Sequence, residues 1–419
     1  MRRRDALALA GLGGMLGGAL AGMPKAMAQS APPAGGRTLS LASFGAKGDG
    51  ASDDAPALQR ALDETFKAND GTFLTIPPGI YRVDRPLRLS PPQHMTRSAG
   101  ILAHGARLHS TIADGGTVLE VASRSTFRFL QIHGLEIRGN GKEGAGLVLE
   151  CQEGGKYLYN FSLRDVVVQG CGGDGCRLLG NVFEGQLYNC YMRNNKGNGI
   201  TFGHGNRSGI LSAIHVMASV FGENGQDGGA MVNNCYDVGF HGCYFLLNGR
   251  YGLAASNGCT LLSHCGFENN HQAAADFRGG GAGLKLNNFG TLIGCTAYSR
   301  FKQQALLDGF VSGRLVMIGC TGSGGGAAKD AYLARLRGQK KAQAVAMGCS
   351  GDIRCENGFE LLDIGSADQG GVRFSDRWDG RHRLQLGDYV LWVDETGALR
   401  TKKGPPQSDR DGQAVGMRS

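Results

Sequence analysis

Apolar and polar positions in the middle of the chain recur in a fixed order. A small or apolar residue is followed two places on by a second apolar residue, and three places later by an Asn, as in Cys190/Met192/Asn195, Cys243/Phe245/Asn248 and Cys265/Phe267/Asn270. The same spacing appears at Leu135/Ile137/Asn140, Val166/Val168/Cys171 and Ser219/Phe221/Asn224, and the first column continues at Cys295, Cys320 and Cys349. Successive members of that column are 22 to 31 residues apart, a period that belongs to solenoids and arrays. Residues two apart face the same side of a strand, so each repeat sends two apolar side chains inward. A Gly follows the Asn column by four (Gly144, Gly175, Gly199, Gly228, Gly252), and a new short apolar strand begins there. Asn tolerates left-handed backbone angles and can bond neighbouring peptide groups, so the column predicts a tight turn repeated in every coil. No window there carries an i, i+3, i+4, i+7 stripe long enough for paired helices. The pattern predicts an all-β, right-handed parallel β-helix.

Composition and length are consistent with one elongated domain. The chain has 419 residues and 71 glycines, without the three-residue period of collagen. A solenoid lengthens by adding coils, so this length does not require several domains. The first 28 residues read as an export signal: Arg2-Arg3-Arg4, a weakly apolar stretch, and a small-x-small run ending at Ala28. The paired arginines are similar to a twin-arginine signal, which implies a periplasmic or secreted bacterial protein. Residues 29–36 read as a linker. Beyond the signal no stretch approaches the ~20 apolar residues of a membrane span. The net charge of +8 is compatible with an acidic glycan partner, and nothing in the pattern points to nucleic acid. Of the twelve cysteines, six fall in the inward column (Cys190, Cys243, Cys265, Cys295, Cys320, Cys349). Parallel Cβ vectors are poor disulfide geometry, so the column reads as a stack of reduced thiols packed as small hydrophobes.

Residues 37–100 read as an N-terminal cap, 101–375 as the coils and 376–419 as a C-terminal tail. The cap opens with Ser43-Phe44-Gly45-Ala46-Lys47-Gly48-Asp49-Gly50, then Asp53-Asp54 and a run with Leu58, Ala61, Leu62 and Phe66 at helical spacing. Pro56 suits a first turn, and a short capping helix near 54–68 would cover the exposed edge of the solenoid. Two strands around Pro77-Pro78-Gly79 follow, the second carrying Tyr81-Arg82-Val83. This segment resembles the N-terminal signature of the pectate-lyase/polygalacturonase-type right-handed parallel β-helix superfamily, and the coil pattern extends the resemblance to about residue 350. The resemblance implies extracytoplasmic, glycan-related roles, and it implies a structural part in the cap for Asp49, Asp53 and Asp54. The tail from Tyr389 to Gly412 is similar to an ending seen on many bacterial and phage β-helix proteins. Of the polygalacturonase-type catalytic elements only Gly203-His204-Gly205 is present; the Asn-Thr-Asp, central Asp pair and Arg-Ile-Lys are not.

The outward positions just before the Cys column carry the candidate chemistry. Two places before it stand His133, Arg164, Tyr188, Met217, His241 and Ser263; four before it stand Gln131, Ser162, Gln186 and His215. A lyase needs a base to take the proton next to a uronate carboxylate and a cation to neutralise that carboxylate. Arg164, Tyr188, His215 and His241 supply those types and are the candidate catalytic residues. Inserted loops holding His204/Arg207 and Asp276/Arg278, with His133, Arg250 and Tyr251, are candidate substrate contacts. The turn column Glu143, Asp174, Asn198, Asp227 and Tyr251 stacks carboxylates, which would admit a Ca²⁺ ion, although no cofactor is required and no metal ligand set is assigned.

Three classes of function fit. One is an exported enzyme cleaving an acidic polysaccharide, by β-elimination before hydrolysis. A glycan C5-epimerase shares the proton-abstracting residues, and a non-catalytic glycan-binding or tailspike-like protein fits the missing hydrolase elements.

Overall fold

A computed structural model describes residues 36–417, apart from 152–153, 204–208, 233, 256–258, 271–281, 300–304, 325–331, 339–342, 356–359, 365–371, 376–382, 387–388, 405 and 409. The export signal and nearly all of the linker therefore lie outside the described residues, as do His204, Arg207, Asp276 and Arg278. No helix among the described residues is long and apolar enough to cross a membrane.

The fold is a parallel β-helix whose coils stack three sheets. The first contains Leu147–Cys151, Cys176–Gly180, Ile200–Phe202, Gly229–Met231 and Leu253–Ala255, paired in parallel from coil to coil. The second contains Ser162–Arg164, Gln186–Tyr188 and the ends of Leu211–Met217, Cys235–His241 and Cys259–Ser263. The third contains Val167–Gln169, Tyr191–Arg193, Val220–Gly222, Tyr244–Leu246, Gly266–Glu268 and Thr296–Ser299. The inward columns fill the core. On the third sheet Phe221, Phe245 and Phe267 stack with centroids 5.2 and 5.0 Å apart and rings 18° and 7° from parallel.

Parallel pairing begins earlier and ends sooner than the pattern predicts. Thr38–Ser40 pairs with Phe73–Thr75, which pairs with the start of Ala99–Ser110, so the cap already contributes rungs. At the other end Glu360–Ile364 is the last parallel strand, and Val372–Ser375 folds back antiparallel onto it. The tail forms a separate four-stranded antiparallel sheet, Arg383–Leu386, Tyr389–Val393, Ala398–Lys403 and Gln413–Met417. Its tight turn is built on buried Asp394, which accepts from the Thr396 and Ala398 N–H groups and from Arg400.

The single α-helix among the described residues, Ala55–Thr65, buries Leu58, Ala61 and Leu62 on one face. The Asp54 side chain does not cap this helix; it accepts from the backbone N–H of Lys47 at 2.7 Å and Gly48 at 3.1 Å, closing the loop before it. Asp53 accepts from the Ala55 N–H, and Asp49 accepts from Ser52 and Ala51, which holds its carboxyl down at about 2. All three act in the cap's own framework.

Left-handed residues recur at three points of the coil, one of them at Phe129, Asn160, Glu184, Ala213 and Asp237 and the other two at the corners on either side of the third sheet. Between the second and third sheets these are Asp165, Asn189, Ala218, Gly242 and His264, and after the third sheet they are Gly170, Asn194, Glu223, Leu247 and Asn269. The Asn column thus stands one place after the left-handed residue, which corrects the expectation that those Asn residues supply the backbone bend. Their contribution is the amide ladder: the Asn195 Nδ2 donates to Asn224 Oδ1 at 3.0 Å, Asn224 to Asn248 at 3.0 Å, and Asn248 to Asn270 at 2.8 Å. The exposed first member, Asn140, instead bonds the Ile112 carbonyl.

The cysteine column is buried, and its six members Cys190, Cys243, Cys265, Cys295, Cys320 and Cys349 are free thiols. Rungs such as the Val220 N–H to the Cys190 carbonyl and the Gly266 N–H to the Cys243 carbonyl fix the column coil upon coil. Burial pushes the Cys190 thiol up to about 12, and donation between neighbouring thiols does the same for Cys265. With the column's thiols buried, and Cys190 and Cys265 held protonated, the column should react with a thiol reagent slowly in the native protein, well behind the half-buried Cys355. Denaturation without reductant should then release close to all twelve cysteines. Recovering almost none would show that bridges hold the stack.

Candidate functional site

The second sheet presents two outward columns to solvent. In register along one run Gln131, Ser162, Gln186, His215, Gly239 and Leu261; along the other run His133, Arg164, Tyr188, Met217, His241 and Ser263. These side chains face outward because they alternate along the strand with buried Ile132, Leu163, Leu187, Val216, Phe240 and Leu262; the left-handed corner residue just before the Cys column interrupts the alternation, so the even offset from that column does not turn them inward.

The four candidate catalytic residues, with the candidate substrate contact His133, form two groups. In the first, the Arg164 guanidinium lies over the Tyr188 ring, 5.1 Å from its centroid, and the His133 Nε2 meets the Ser162 hydroxyl at 3.2 Å. Burial, then the positive charge of Arg164, lowers the His133 pKa. In the second, the His215 and His241 rings lie 5.8 Å apart, and the His241 Nδ1 meets the Ser263 hydroxyl at 3.0 Å. Arg164 and His241 are three coils apart in register, roughly 14 Å at the spacing of β-strands, so they cannot serve one sugar ring. The distance separates Arg164 from His241 as the base, whereas Tyr188, the other candidate base, lies beside Arg164.

Gly239 is the residue that sequence reasoning passed over. It stands in the His215 column beside His241, and a Cβ built on it would lie 2.9 Å from the His241 Nε2 and 3.3 Å from the His215 Nδ1. Two imidazole nitrogens therefore converge on a space that only glycine leaves open. Burial, then the charge of His215, lowers the His241 pKa below the ordinary histidine value, so its ring is neutral at neutral pH and able to accept a proton. The signal was available in the sequence, since Gly239 precedes Cys243 by the same four places as His215 precedes Ser219.

Arg250 and Tyr251 lie elsewhere, on the turn that leads into the first sheet. Arg250 pairs with Asp227 at 3.6 Å, and the Tyr251 N–H donates to Asp227 at 2.9 Å. Burial, then the negative charge of Asp308, raises the Tyr251 pKa, and Asp308 is itself paired with Arg337 at 2.6 Å. The turn carboxylates are engaged in holding the coils. Glu143 accepts from Asn140, Gly141 and Gly172 N–H groups, and Asp174 accepts from Asn198 N–H, Arg177 and Thr201. Among the described residues no group of three or more His, Cys, Asp or Glu is placed to hold a metal ion, so this column offers no Ca²⁺ cage there.

Comparison with known proteins decides the fold family. The family described as right-handed beta helix region matches residues 117–290, and the one described as rhamnogalacturonase A/epimerase, pectate lyase-like, matches residues 39–96. The chain has the right-handed β-helix of the pectate-lyase-type superfamily. A third family, capsule depolymerase, matches residues 360–417 of this β-helix protein, the last parallel strand and the tail. None of the curated proteins matches it in sequence. Among solved structures, the surface adhesin PfbA of Streptococcus pneumoniae superposes with a TM-score of 0.59 at 12% identity, covering 88% of this chain and 100% of that one. The A-module of mannuronan C-5 epimerase AlgE4 from Azotobacter vinelandii gives 0.55 at 14% identity, covering 79% and 100%. Tailspike protein 2 of the Escherichia coli O157:H7 bacteriophage CAB120 gives 0.52 at 14% identity, covering 78% of this chain and 42% of that one. At such identities the likeness is one of fold.

Proposed function

We propose that this β-helix is an exported protein that binds an acidic polysaccharide along its second sheet and cleaves it there by β-elimination. The observation that carries the reading is the convergence of His215 and His241 on the space over Gly239, with His241 held neutral and steered by Ser263. In this reaction His241 takes the proton from the carbon next to the uronate carboxylate. The freed electron pair forms the carbon–carbon double bond, the bond to the glycosidic oxygen breaks, and that oxygen takes a proton from His215. Arg164, braced on Tyr188 and three coils away, binds the carboxylate of a sugar further along the chain. Family matches to capsule depolymerase and to a pectate lyase-like group support a polysaccharide ligand. Hydrolysis by paired carboxylates has no support on this face, because neither outward column from Gln131 to Ser263 contains Asp or Glu.

A second reading, binding without cleavage, is favoured by one observation. Between Tyr188 and Ser263 the two columns hold no Lys or Arg to neutralise a reacting carboxylate. Ultraviolet absorbance of unsaturated products, followed over a panel of acidic polysaccharides, separates the two. A rise on at least one polymer is the expected result. Retention by a polymer with no rise on any of them would leave the protein a binder.

A further inference from the structure

The third sheet meets the second around a one-residue left-handed corner, and its outward face has a pattern of its own. Tyr191, Tyr244 and Tyr298 are 38, 38 and 40% exposed and recur in every second coil. Tyr191 is in register with Val220 and Val220 with Tyr244; Tyr244 is in register with Gly266, and Glu268 of that coil with Tyr298. Tyr191 and Tyr244 thus share one column roughly 9.6 Å apart along the axis, twice the spacing of β-strands and close to the length of a disaccharide in an extended glycan, and Tyr298 stands two further coils on but two residues across the sheet, in the column of Glu268, so the row of rings runs obliquely.

The middle ring is fixed at two points. A Cβ on Gly266 would lie 2.4 Å from both Cδ2 and Cε2 of Tyr244 and 3.7 Å from its Cζ, distances that put the glycine at the ring's edge. The Tyr244 hydroxyl donates to Glu268, whose other oxygen accepts from Asn269 at 3.1 Å. Burial and this carboxylate push the Tyr244 pKa up to about 12, so the ring stays a neutral donor. On the coils before Tyr244 the same face continues as a polar ladder: Arg107 pairs with Glu136 at 2.9 Å, Gln169 donates to Glu136 at 2.9 Å, and Arg193 donates to Gln169 at 3.4 Å.

We propose that this face is a second carbohydrate-binding surface, on which one polysaccharide chain lies along the helix axis with sugar rings against Tyr191, Tyr244 and Tyr298. Tyrosine suits that occupant, because its ring packs on the apolar side of a sugar while its hydroxyl and the flanking Glu, Gln and Arg groups meet the sugar hydroxyls. The surface rests on the polysaccharide reading above and extends it: the coils that carry Tyr188 and His241 on the second sheet carry Tyr191 and Tyr244 three residues later on the third. A polymer too long for the candidate site would be held beside it.

The test is electrophoresis of the full-length protein through native gels containing alginate, polygalacturonate or a purified bacterial capsular polysaccharide. The protein should be retarded by at least one of them, and the triple variant Tyr191→Ala/Tyr244→Ala/Tyr298→Ala should bind that polymer about tenfold more weakly, the combined worth of three stacking contacts. Circular dichroism melts confirm that the variant is folded, and Tyr244→Gln alone serves if the triple does not fold. Retardation of the folded variants equal to the parent's, or no retardation of the parent in any gel, overturns the surface. Formation of unsaturated product by the parent is read separately. Product with unchanged variant binding sinks the surface alone, whereas lost variant binding without product sinks cleavage alone.

Discussion

Asn248→Ala is expected to destabilise the protein by about 3 kcal/mol, the cost of leaving buried polar groups without partners. Asn248 is fully buried and joins three coils. Its Oδ1 accepts from the N–H and the Nδ2 of Asn224, at 3.2 and 3.0 Å, and its Nδ2 donates to the Phe221 carbonyl at 3.0 Å and to Asn270 at 2.8 Å. Alanine removes all four contacts at once and leaves the Asn224 N–H facing a void. Asn248→Asp should be no better, because a carboxylate cannot donate to the two oxygens that face it. Asn140→Ala, at the exposed end of the column, should stay within about 1 kcal/mol. Urea melts of the three variants check the ranking, and equal midpoints for Asn248→Ala and Asn140→Ala would refute a structural ladder.

The largest effect on activity is expected from His241→Ala, which should cut turnover by about 10²- to 10⁴-fold, the usual worth of a general base. The protein should melt as the parent does, since His241 projects from the outer face. Gly239→Ala should lower activity by up to about 10²-fold by driving the two rings apart, the cost of a misplacement near 1 Å. The pH dependence follows in sign. His241 must be neutral to accept a proton, and its pKa lies below the ordinary value, so kcat/KM should fall with acid only below the usual histidine range near 6.5. The same shift means that protonation opposes folding, so this histidine costs stability as pH falls through that range and nothing above it. Arg164→Ala should raise KM while leaving most of kcat, because it binds a sugar other than the one that reacts. An acid limb at or above the ordinary histidine value would remove His241 from the base's role.

The architecture was legible because each coil repeats the same short instruction. Alternation at Cys190/Met192 or Cys243/Phe245 gives strand faces, and the steps between Cys positions give coil lengths, so inward and outward columns follow by counting. Counting also found the outward row from His133 to His241. What it did not give was distance along the axis: Arg164 and His241 look alike in offset from the column yet stand three coils apart. Gly239 has a place in the outward row by its offset of four from Cys243, but a residue that contributes by the side chain it lacks is not picked out by a search for chemical groups. The Asn residues were read as the bend and turned out to be the ladder, since side-chain amides and backbone angles divide one corner between neighbours such as Leu247 and Asn248. The turn carboxylates Glu143 and Asp174 suggested a metal. Their oxygens face backbone N–H groups whose directions are set only once the coils are stacked.

The most direct test of the central claim is a crystal structure of the His241→Ala variant with an oligosaccharide of the polymer that the parent binds. A uronate ring over Gly239, within hydrogen-bond reach of His215, with a neighbouring carboxylate on Arg164, is the predicted result. Sugar density confined to the turn of Arg250 and Tyr251, with the second sheet bare, would contradict it.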